Sequence, residues 1–454
     1  MIKDSDLILV PEKALHFTRD GWHLFYDPVN VNWVRLNNVG LSVLEAIKKH
    51  KYIEPIAAHL AEEYKETPPA EIRKMAGQFI ESLVDTGFLH LNHYKKEEIK
   101  FFYRETPFEI YLNMTNHCNL KCVYCFNSPE REHWLEKEKE TKLPVLTLRE
   151  FKKLVDEGKE LEVRKFILTG GEPLLNPDTI PLAQYIKAQG LENEMLTNGT
   201  LIDEANAKVI AESFDTVAVS LDTVYRDSHE KMRGKGTFDK VMKGIKLLMA
   251  HNAVIRVNSV ITRTNVSEIS DTWKVVYDEL KCRSFTPSLY TPFTDEPGVY
   301  GPLLPEMEVL LREQARIREH FKDNPGLAFK PPRICFGCGA GNGEISISPD
   351  GSIFPCHTLH RPELACGNVK EKSLAQILKE SELLQKLQQF NVDEIGLCHE
   401  CDFKYLCGGG CLAMNYNIHG DFYTRDNFYC DYLKQEQVER LWTTATRQAK
   451  ARNS

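Results

Sequence analysis

The chain has 454 residues, 42% of them hydrophobic and 27% charged, and this length predicts two or three domains. Its formal net charge of −8 predicts no general attraction to nucleic acid or to anionic membranes. No apolar run approaches the roughly 18 residues needed to cross a bilayer, and the first residues lack a secretory signal, so we expect a cytoplasmic protein.

Residues 1–95 are predicted to form a first domain of short strands followed by three helices. Extended stretches at 24–26 and 31–36 come first, and apolar residues then recur at helical spacing over 71–84. This order is typical of a winged-helix-like module. Residues 1–94 hold ten Lys/Arg against thirteen Asp/Glu, and because DNA binding relies on clustered positive charge, we expect no nucleic-acid partner.

Residues 106–300 alternate between strand-like and helical patterns. The strand-like runs lie at 109–114, 165–168, 194–196, 216–220, 255–261 and 285–289. A capping box formed by Thr147 and Glu150 predicts the start of one helix. Six strand–helix units predict a parallel sheet with right-handed crossovers, but they are fewer than the eight of a closed barrel. We therefore predict an α/β fold with a partial (β/α)6 barrel whose site lies at the carboxyl ends of its strands.

Residues 301–454 are predicted to contain a bridging helix at 305–321 and a cysteine-rich domain. A hairpin is expected at 345–354 and a final helix near 435–448. Of the thirteen cysteines, three lie at 118–125 and nine at 335–430. In a long chain without a signal peptide, such clusters indicate metal ligands rather than disulfides.

The first cysteine group, Cys118, Cys122 and Cys125, follows the first barrel strand with the spacing CxxxCxxC. Three thiolates on one short loop can ligate three irons of a [4Fe–4S] cluster and leave the fourth iron open. A zinc site usually takes four ligands in pairs, and His117 directly precedes Cys118, which is an awkward geometry for sharing one ion. The spacing therefore favours an iron–sulfur cluster over zinc or structural thiols.

This motif, with Tyr124 before its last cysteine and Gly170-Gly171-Glu172-Pro173 after the second strand, resembles the radical S-adenosylmethionine (SAM) superfamily. The resemblance implies that SAM chelates the open iron and that one electron then yields a 5′-deoxyadenosyl radical, which abstracts hydrogen from a substrate. It also implies a SAM pocket formed by Tyr124, Gly170, Gly171, Glu172, Asn198, Ser220, Asp222 and Arg233, with Asn258 as a further candidate. For Asn198 and Arg233 the alternative is a polar group that merely ends a strand.

The C-terminal cysteines resemble the SPASM domain, which holds two auxiliary [4Fe–4S] clusters, so the resemblance implies three clusters in all. It assigns Cys335, Cys338, Cys356 and Cys411 to the cluster nearer the active site, and Cys398, Cys401, Cys407 and Cys430 to the outer one. Cys335 is instead a bystander if the nearer cluster keeps an open iron. Cys282 and Cys366 are expected to be structural or free.

The first domain resembles the peptide-recognition element of peptide-modifying radical SAM enzymes, in the pattern Leu24-Phe25-Tyr26-Asp27, Leu36-Asn37 and Gly87-Phe88-Leu89. Such elements capture a leader peptide as an added strand on a sheet edge. Here that edge would be the strand at 31–36, with the helix at 71–84 as the other wall. A purely structural cap is the alternative.

These features together lead to the hypothesis of an iron–sulfur oxidoreductase that matures a ribosomally synthesised peptide by forming a thioether or carbon–carbon crosslink. Its partners would be a precursor peptide with a leader and an electron donor such as flavodoxin or ferredoxin. The alternatives are a sulfatase-maturase-like enzyme that oxidises a protein side chain, and a non-enzymatic zinc-binding peptide adaptor.

The general base is unassigned. Tyr290, Asp295 and Glu296 lie just beyond the last barrel strand and are candidates, unless they are ordinary solvated loop residues. The charged stretch at 129–142 is interpreted either as a mobile lid or as a solvated insertion.

Overall fold

The computed structural model describes residues 2–96, 99, 104–126, 145–323, 329–425 and 428–445. The charged stretch at 129–142 lies outside these residues. The strands are β1 (Ile8–Leu9), β2 (Leu15–Arg19), β3 (Trp22–Asp27), β4 (Asn32–Leu36), β5 (His90–Leu91), β6 (Glu109–Asn113), β7 (Lys165–Thr169), β8 (Glu192–Thr197), β9 (Thr216–Ser220), β10 (Ile255–Ile261), β11 (Ser284–Leu289), β12 (Glu344–Ile347), β13 (Ser352–Phe354) and β14 (Gly367–Asn368).

The α-helices are α1 (Asn38–His50), α2 (Ile53–Glu63), α3 (Pro69–Asp85), α4 (Leu148–Glu160), α5 (Thr179–Ala188), α6 (Ala207–Ser213), α7 (Arg226–Arg233), α8 (Thr237–Ala250), α9 (Ile269–Lys274), α10 (Pro297–Tyr300), α11 (Met307–His320), α12 (Leu374–Glu380), α13 (Glu382–Gln388), α14 (Gly396–His399), α15 (Lys404–Cys407), α16 (Leu412–His419) and α17 (Cys430–Trp442). In the part of the chain that the structure describes, no helix is long and apolar enough to cross a membrane.

The N-terminal domain consists of an antiparallel sheet in the order β2-β3-β4 and the three helices α1–α3. Asp20 and Gly21 both have positive φ (50° and 75°), which suits the two-residue hairpin between β2 and β3. The Asn37 side chain accepts a hydrogen bond from the Gly40 N–H and so caps α1. The predicted succession of short strands and three helices is confirmed.

The central domain contains six parallel strands, β6 to β11, that lie side by side in chain order. Their observed ends are within two residues of the predicted ones, because strands covered on both faces are marked by apolar runs. The capping box is present: Thr147 accepts from the Glu150 N–H, and the Glu150 carboxylate accepts from the Thr147 N–H at 2.8 Å. The predicted partial (β/α)6 barrel is therefore confirmed.

The C-terminal domain continues the barrel sheet, because β12 pairs with β6 in parallel and β13 and β14 follow, which makes a nine-stranded sheet. The predicted hairpin is confirmed as β12–β13. The prediction for the last helix was wrong in its bounds, since α17 begins at Cys430 and ends at Trp442. Two β-branched residues, Thr443 and Thr444, follow Trp442 and favour a helix end there.

The N-terminal domain packs on the C-terminal one. Arg19 donates to both carboxylate oxygens of the buried Glu439 on α17, at 2.8 and 2.9 Å, and Arg318 on α11 donates to the same carboxylate at 3.0 Å. The Tyr26 ring stacks on Phe403 with centroids 5.6 Å apart. The first domain therefore lies against the segment that carries the last group of cysteines.

Candidate active site

The segment 114–126, called here the cluster loop, follows β6 and carries the first three cysteines. Its entry runs beside the residues that follow β7. The Met114 N–H donates to Thr169 O at 2.9 Å, the Gly171 N–H to Thr115 O at 2.7 Å, and the Glu172 N–H to His117 O at 2.9 Å. Backbone hydrogen bonds of the residues that precede Cys118 thus fix the start of the loop to the carboxyl end of β7.

The two glycines after β7 are required by this close approach. A Cβ atom at Gly170 would overlap the carbonyl oxygen of Thr115, and one at Gly171 would overlap that of His117. Gly170 also has a φ of 130°, which side-chain-bearing residues rarely adopt. In this structure the two glycines allow the backbone of the cluster loop to pack closely against the end of β7. Their contact with SAM stays a prediction.

Glu172, which follows β7, is fully buried beside the end of β8. Its carboxylate accepts hydrogen bonds from the Thr197 hydroxyl and the Asn198 N–H, both at 2.8 Å, and from the Leu174 N–H at 3.2 Å. Burial raises the pKa of Glu172 to about 7, although these hydrogen bonds act in the opposite direction. A cationic ligand such as an ammonium group would stabilise the ionised carboxylate here.

A second attachment of the cluster loop comes from the residues after β8. The Asn198 side-chain amide donates to Asn119 Oδ1 at 2.9 Å, and the Asn119 amide donates to the Thr200 hydroxyl at 2.9 Å. Asn198 Oδ1 in turn accepts from the Thr200 hydroxyl at 2.6 Å. The predicted site residue Asn198 therefore binds the loop, and Asn119 and Thr200 are partners that the sequence reasoning missed.

A third attachment joins Tyr124 to the end of β9. Arg233 donates to both carboxylate oxygens of Asp222, at 2.6 and 3.1 Å, while the Tyr124 hydroxyl donates to Asp222 Oδ2 at 2.5 Å. The Val260 N–H is the fourth donor, at 3.0 Å. Burial raises the pKa of Asp222, but the Arg233 charge and these hydrogen bonds outweigh it, so the pKa lies below its usual value.

Because four donors already saturate the Asp222 carboxylate, it has little capacity left for a ligand. Tyr124, Asp222 and Arg233 are each less than 9% exposed. The Arg233 guanidinium also lies 5.5 Å from the centre of the Tyr124 ring. The three residues predicted to bind SAM are thus bound to one another, and any contact of theirs with SAM stays a prediction.

Ser220 and Asn258 are register partners on β9 and β10. Asn258 Oδ1 is buried, and no group among the described residues donates to it. An unpaired buried acceptor beside Ser220 is available to a ligand that donates hydrogen bonds.

The three candidate bases lie in different environments. Tyr290 is 1% exposed and packs with Tyr124, Met232 and Tyr300, and its hydroxyl has no hydrogen-bond partner among the described residues. Asp295 and Glu296 lie exposed in the segment before α10. The structure thus brings Tyr290, and neither carboxylate, against the cluster loop.

The surroundings of Cys122 in the cluster loop disfavour the thiolate form that an iron–sulfur cluster needs. Burial raises the pKa of the Cys122 thiol, the Arg233 charge opposes this, and the neighbouring Asp222 and Cys118 raise the pKa further. The Val123 N–H donates to Met232 O at 3.0 Å and holds the middle of the loop. Thiolates in such a setting need a cationic partner, which suits metal coordination.

Three thiols that are predicted to bind the nearer auxiliary cluster affect one another's pKa. Burial raises the pKa of Cys338 to about 12, with Cys411 raising it further. Burial likewise raises the pKa of Cys356, with Glu344, Cys338 and Cys411 adding to the effect. The parallel pairing of β12 with β6 places this group beside the first barrel strand.

Cys335 has different neighbours. Burial raises the pKa of its thiol, while a hydrogen bond with the Gly337 backbone and the Arg440 charge lower it. The thiol also lies 3.0 Å from Gly337 O. The Cys335 N–H donates to Tyr405 O at 2.7 Å. Its predicted role as a cluster ligand stays a prediction.

The outer auxiliary group lines one cavity of about 240 Å³. Its four thiols are those of Cys398, Cys401, Cys407 and Cys430, and Arg425 and Lys404 also line the cavity. Burial raises the pKa of Cys407 to about 11, with the other three thiols adding to the effect and Arg425 opposing it. Four cysteines that line one cavity are enough to supply the donors of a fully ligated [4Fe–4S] cluster, and their role as its ligands stays a prediction.

The remaining cysteines, Cys282 and Cys366, belong to the apolar core and point their thiols at the carbonyls of Leu280 and Leu364, at 3.7 and 3.5 Å.

His357 lies beside the cluster loop and was not among the residues predicted from the sequence. Its ring stacks on Tyr111 at 4.4 Å and lies 5.9 Å from Phe126, the neighbour of Cys125. Its position directly after Cys356, a predicted cluster ligand, was the feature of the sequence that could have indicated it.

Three family models match separate parts of the chain. The radical SAM superfamily matches residues 112–272, the iron–sulfur cluster-binding SPASM domain matches 338–402, and coenzyme PQQ synthesis protein D (PqqD) matches 23–89. The chain is thus an iron–sulfur enzyme that binds SAM. It contains a radical SAM domain, a PqqD-type N-terminal domain and a C-terminal SPASM domain.

Relatives of known function are similar over most of the chain. The AdoMet-dependent heme synthase of Methanosarcina barkeri is 29% identical over 353 residues, covering 70% of this chain and 95% of the relative. The subtilosin biosynthesis protein AlbA of Bacillus subtilis is 29% identical over 344 residues, covering 73% and 72%. The mycofactocin maturase MftC of Mycobacterium tuberculosis is 26% identical over 327 residues, covering 69% and 80%.

Solved structures share the fold. Streptococcus suis SuiB bound to its precursor peptide SuiA has a TM-score of 0.58 at 17% identity, covering 93% of this chain and 99% of SuiB. Native anSMEcpe with bound AdoMet has a TM-score of 0.58 at 20% identity, covering 75% of this chain and 99% of that one.

Proposed function

We propose that this enzyme matures a ribosomally synthesised peptide and that it forms a thioether or carbon–carbon crosslink within it. The observation that carries the proposal is that one chain contains both a PqqD-type domain and a radical SAM barrel. Tyr26 and Arg19 attach the PqqD-type domain to the C-terminal domain. An acidic domain of this kind suits a peptide better than a nucleic acid. We assign residues 1–95 to peptide recognition, 106–300 to the barrel, and 301–454 to the bridging helix and SPASM domain.

The named relatives support a peptide substrate. AlbA takes part in subtilosin biosynthesis, MftC is a maturase, and a relative from Rhizobium meliloti, 26% identical over 329 residues, is a PqqA peptide cyclase. The SuiB match covers 93% of this chain, which must include most of the first domain, whereas the anSMEcpe match covers 75%. This difference favours the peptide maturase over the sulfatase-maturase-like alternative.

The residues divide into three cluster-holding groups, which would hold three [4Fe–4S] clusters. Cys118, Cys122 and Cys125 would hold the cluster that binds SAM. The nearer auxiliary cluster would be held by Cys338, Cys356 and Cys411, with either Cys335 or an open iron at the fourth position. The outer cluster would be held by Cys398, Cys401, Cys407 and Cys430. When bound, SAM and the reduced cluster would supply the 5′-deoxyadenosyl radical that abstracts a hydrogen atom from the substrate. A flavodoxin or ferredoxin would deliver the electrons.

Within the SAM pocket the chain's own residues have distinct tasks. Glu172 offers a buried carboxylate to the ammonium group of SAM, and Asn258 offers an unpaired acceptor beside Ser220. Tyr124, Asp222 and Arg233 hold the cluster loop in place. The buried hydroxyl of Tyr290, which lacks a partner among the described residues, is the candidate to receive or donate a proton at the substrate.

The test is an anaerobic reaction of the iron-loaded enzyme with SAM, a reductant and candidate precursor peptides taken from the open reading frames that neighbour its gene, followed by mass spectrometry. The expected product lacks two hydrogen atoms relative to the peptide and appears together with 5′-deoxyadenosine. Cys118→Ala is the inactive control, and Cys366→Ala is the matched control for a cysteine outside the clusters.

Other outcomes identify the alternatives. Conversion of a tetrapyrrole, as the name of the heme synthase relative suggests, would overturn the peptide proposal. Oxidation of a side chain in a folded protein would support the sulfatase-maturase-like alternative. Zinc in place of iron in the purified protein would support the non-enzymatic adaptor.

A further inference from the structure

The outer edge of β4 is contacted by residues of the same chain that lie at and just after the end of α17. The sheet order β2-β3-β4 leaves β4 with one neighbour, so its second edge faces away from the sheet. The Arg35 N–H donates across this edge to the carbonyl oxygen of Ala445 at 2.8 Å. Because backbone groups alternate along a strand, those of Trp33 face the same way as those of Arg35.

Side chains strengthen this contact. The Trp33 indole N–H donates to the Thr444 hydroxyl at 3.2 Å, and the Arg35 guanidinium donates to Trp442 O at 3.1 Å. Residues 442–445, called here the C-terminal segment, therefore lie along β4 just after α17 ends. A carbonyl that accepts from the backbone of an edge strand is also the contact that an added peptide strand makes.

The second outward donor of β4 is also satisfied within the chain. The Trp33 N–H donates to the side-chain oxygen of Asn32 at 2.9 Å. Asn32 is itself held at the edge, because its amide donates to Thr86 O just after α3 ends. An incoming strand would therefore find both N–H donors of this edge engaged, and the one at Arg35 is engaged by a backbone carbonyl.

We infer that the C-terminal segment occupies the β4 edge in the free enzyme as an intramolecular competitor of the leader, which the resemblance to peptide-recognition elements predicts to bind at this same edge. The inference rests on the proposed function. One N–H cannot donate fully to two carbonyls, so the leader must displace Ala445 to pair with Arg35.

The contacts of the C-terminal segment indicate the chemistry of the peptide that replaces it. The peptide is extended at this point and presents a carbonyl to the Arg35 N–H. Its neighbouring residue carries a hydrogen-bond acceptor, such as a serine or threonine hydroxyl, that takes the Trp33 indole N–H in place of Thr444. A leader with only apolar side chains at that position would leave the indole donor unpaired.

Two truncations test the occupancy without any precursor. The first ends the chain after Trp442 and removes the contacts of Thr444 and Ala445, whereas the second ends it after Ala445 and keeps them. Hydrogen exchange at the Arg35 amide is expected to accelerate in the first truncation only. A dye-labelled synthetic peptide with the sequence of residues 443–454 is expected to bind the first truncation and not the full chain. Unchanged exchange together with no peptide binding would overturn the inference.

The precursor peptide then tests the competition. Because the segment is tethered but makes few hydrogen bonds, we expect the first truncation to bind the precursor roughly ten-fold more tightly than the full chain. The second truncation should match the full chain. Equal binding by all three proteins would overturn the competition and leave the proposed function standing, whereas no precursor binding by any of them would count against the proposed function itself.

A folding control accompanies both tests. Thr444 and Ala445 contact the first domain and lie outside the residues assigned to SAM or to the clusters. SAM cleavage and iron content should therefore be the same in both truncations and in the full chain. A truncation that loses iron is replaced by Thr444→Val, which removes only the bond to the Trp33 indole and should raise precursor affinity in the same direction.

Discussion

The Tyr124 hydroxyl donates to Asp222 Oδ2 at 2.5 Å, and this bond joins the cluster loop to the end of β9. Together with the backbone bonds of Gly171 and the amide of Asn198, it attaches the loop to three successive strands, β7, β8 and β9. Preorganisation of this kind lowers the cost of placing three thiolates around one cluster. The positions of the cysteines are thus set by the barrel and not by the loop alone.

We expect Tyr124→Phe to weaken this attachment. Loss of a hydrogen bond to a buried carboxylate should lower the free energy of unfolding by roughly 1.5–3 kcal/mol. The reduced cluster should also give a broader electron paramagnetic resonance signal. The matched control is Tyr225→Phe, since the exposed Tyr225 makes a similar bond to Asp271 at 3.0 Å. Equal losses in the two variants would contradict the role of Tyr124.

Gly171→Ala should prevent the cluster loop from closing on the end of β7. Its Cβ would overlap the carbonyl oxygen of His117, whose movement would carry Cys118 with it. We expect most of the SAM-binding cluster to be lost, as measured by iron content and by absorbance of the purified protein. Gly298→Ala is the control, because a Cβ there meets nothing within 4 Å. Normal iron loading of Gly171→Ala would show that the loop can adjust.

Cys338→Ser and Cys335→Ser should differ in iron content. Cys338 lies with Cys356 and Cys411, so its replacement should remove one cluster, about four of roughly twelve irons. Besides burial, the pKa of Cys335 is affected by the Gly337 backbone and Arg440 and not by the other three thiols, so its replacement should leave the iron content near that of the wild type. A matching loss in Cys335→Ser would make Cys335 the fourth ligand of the nearer cluster.

Cys118→Ala and Cys430→Ala separate radical initiation from product formation. The first removes a thiol of the cluster loop and should abolish reductive cleavage of SAM. The second removes a thiol from the outer cavity and should retain some cleavage but lose the modified peptide. Chromatographic quantification of 5′-deoxyadenosine and of product distinguishes them. Full SAM cleavage by Cys118→Ala would overturn the assignment of the cluster loop.

The buried Glu172 should make the stability of the SAM-free protein depend on pH. Its pKa is about 7 in the folded protein and 4.5 for an ordinary glutamate. Between these values the folded state binds more protons than the unfolded state, so stability falls as the pH rises. Relative to Glu172→Gln, the wild type should lose up to about 3 kcal/mol between about pH 4.5 and about pH 7.5.

Denaturation midpoints near the two ends of this range provide the measurement. The exposed Glu192→Gln serves as the control and should follow the wild type at every pH. A constant difference between the wild type and Glu172→Gln across the range would show that Glu172 does not take up a proton there.

Local patterns in the sequence were sufficient for much of the fold. The six parallel strands, the capping box at Thr147 and the hairpin of β12 and β13 each depend on neighbours close in sequence, and each was predicted. The parallel pairing of β12 with β6 was not, because it joins residues more than two hundred positions apart and no local pattern records it. The contact of Ala445 with Arg35 escaped prediction for the same reason.

The sequence by itself determined the chemistry, since the cysteine spacings and the glycine-rich turn are local motifs that specify an iron–sulfur enzyme using SAM. Only the tertiary structure decided what the site residues bind. Asp222 and Arg233 became a buried pair that holds Tyr124, and Asn198 became a partner of Asn119 on the cluster loop. These outcomes depend on how distant segments pack, because hydrogen bonding and burial are set by neighbours in space and not by neighbours in sequence.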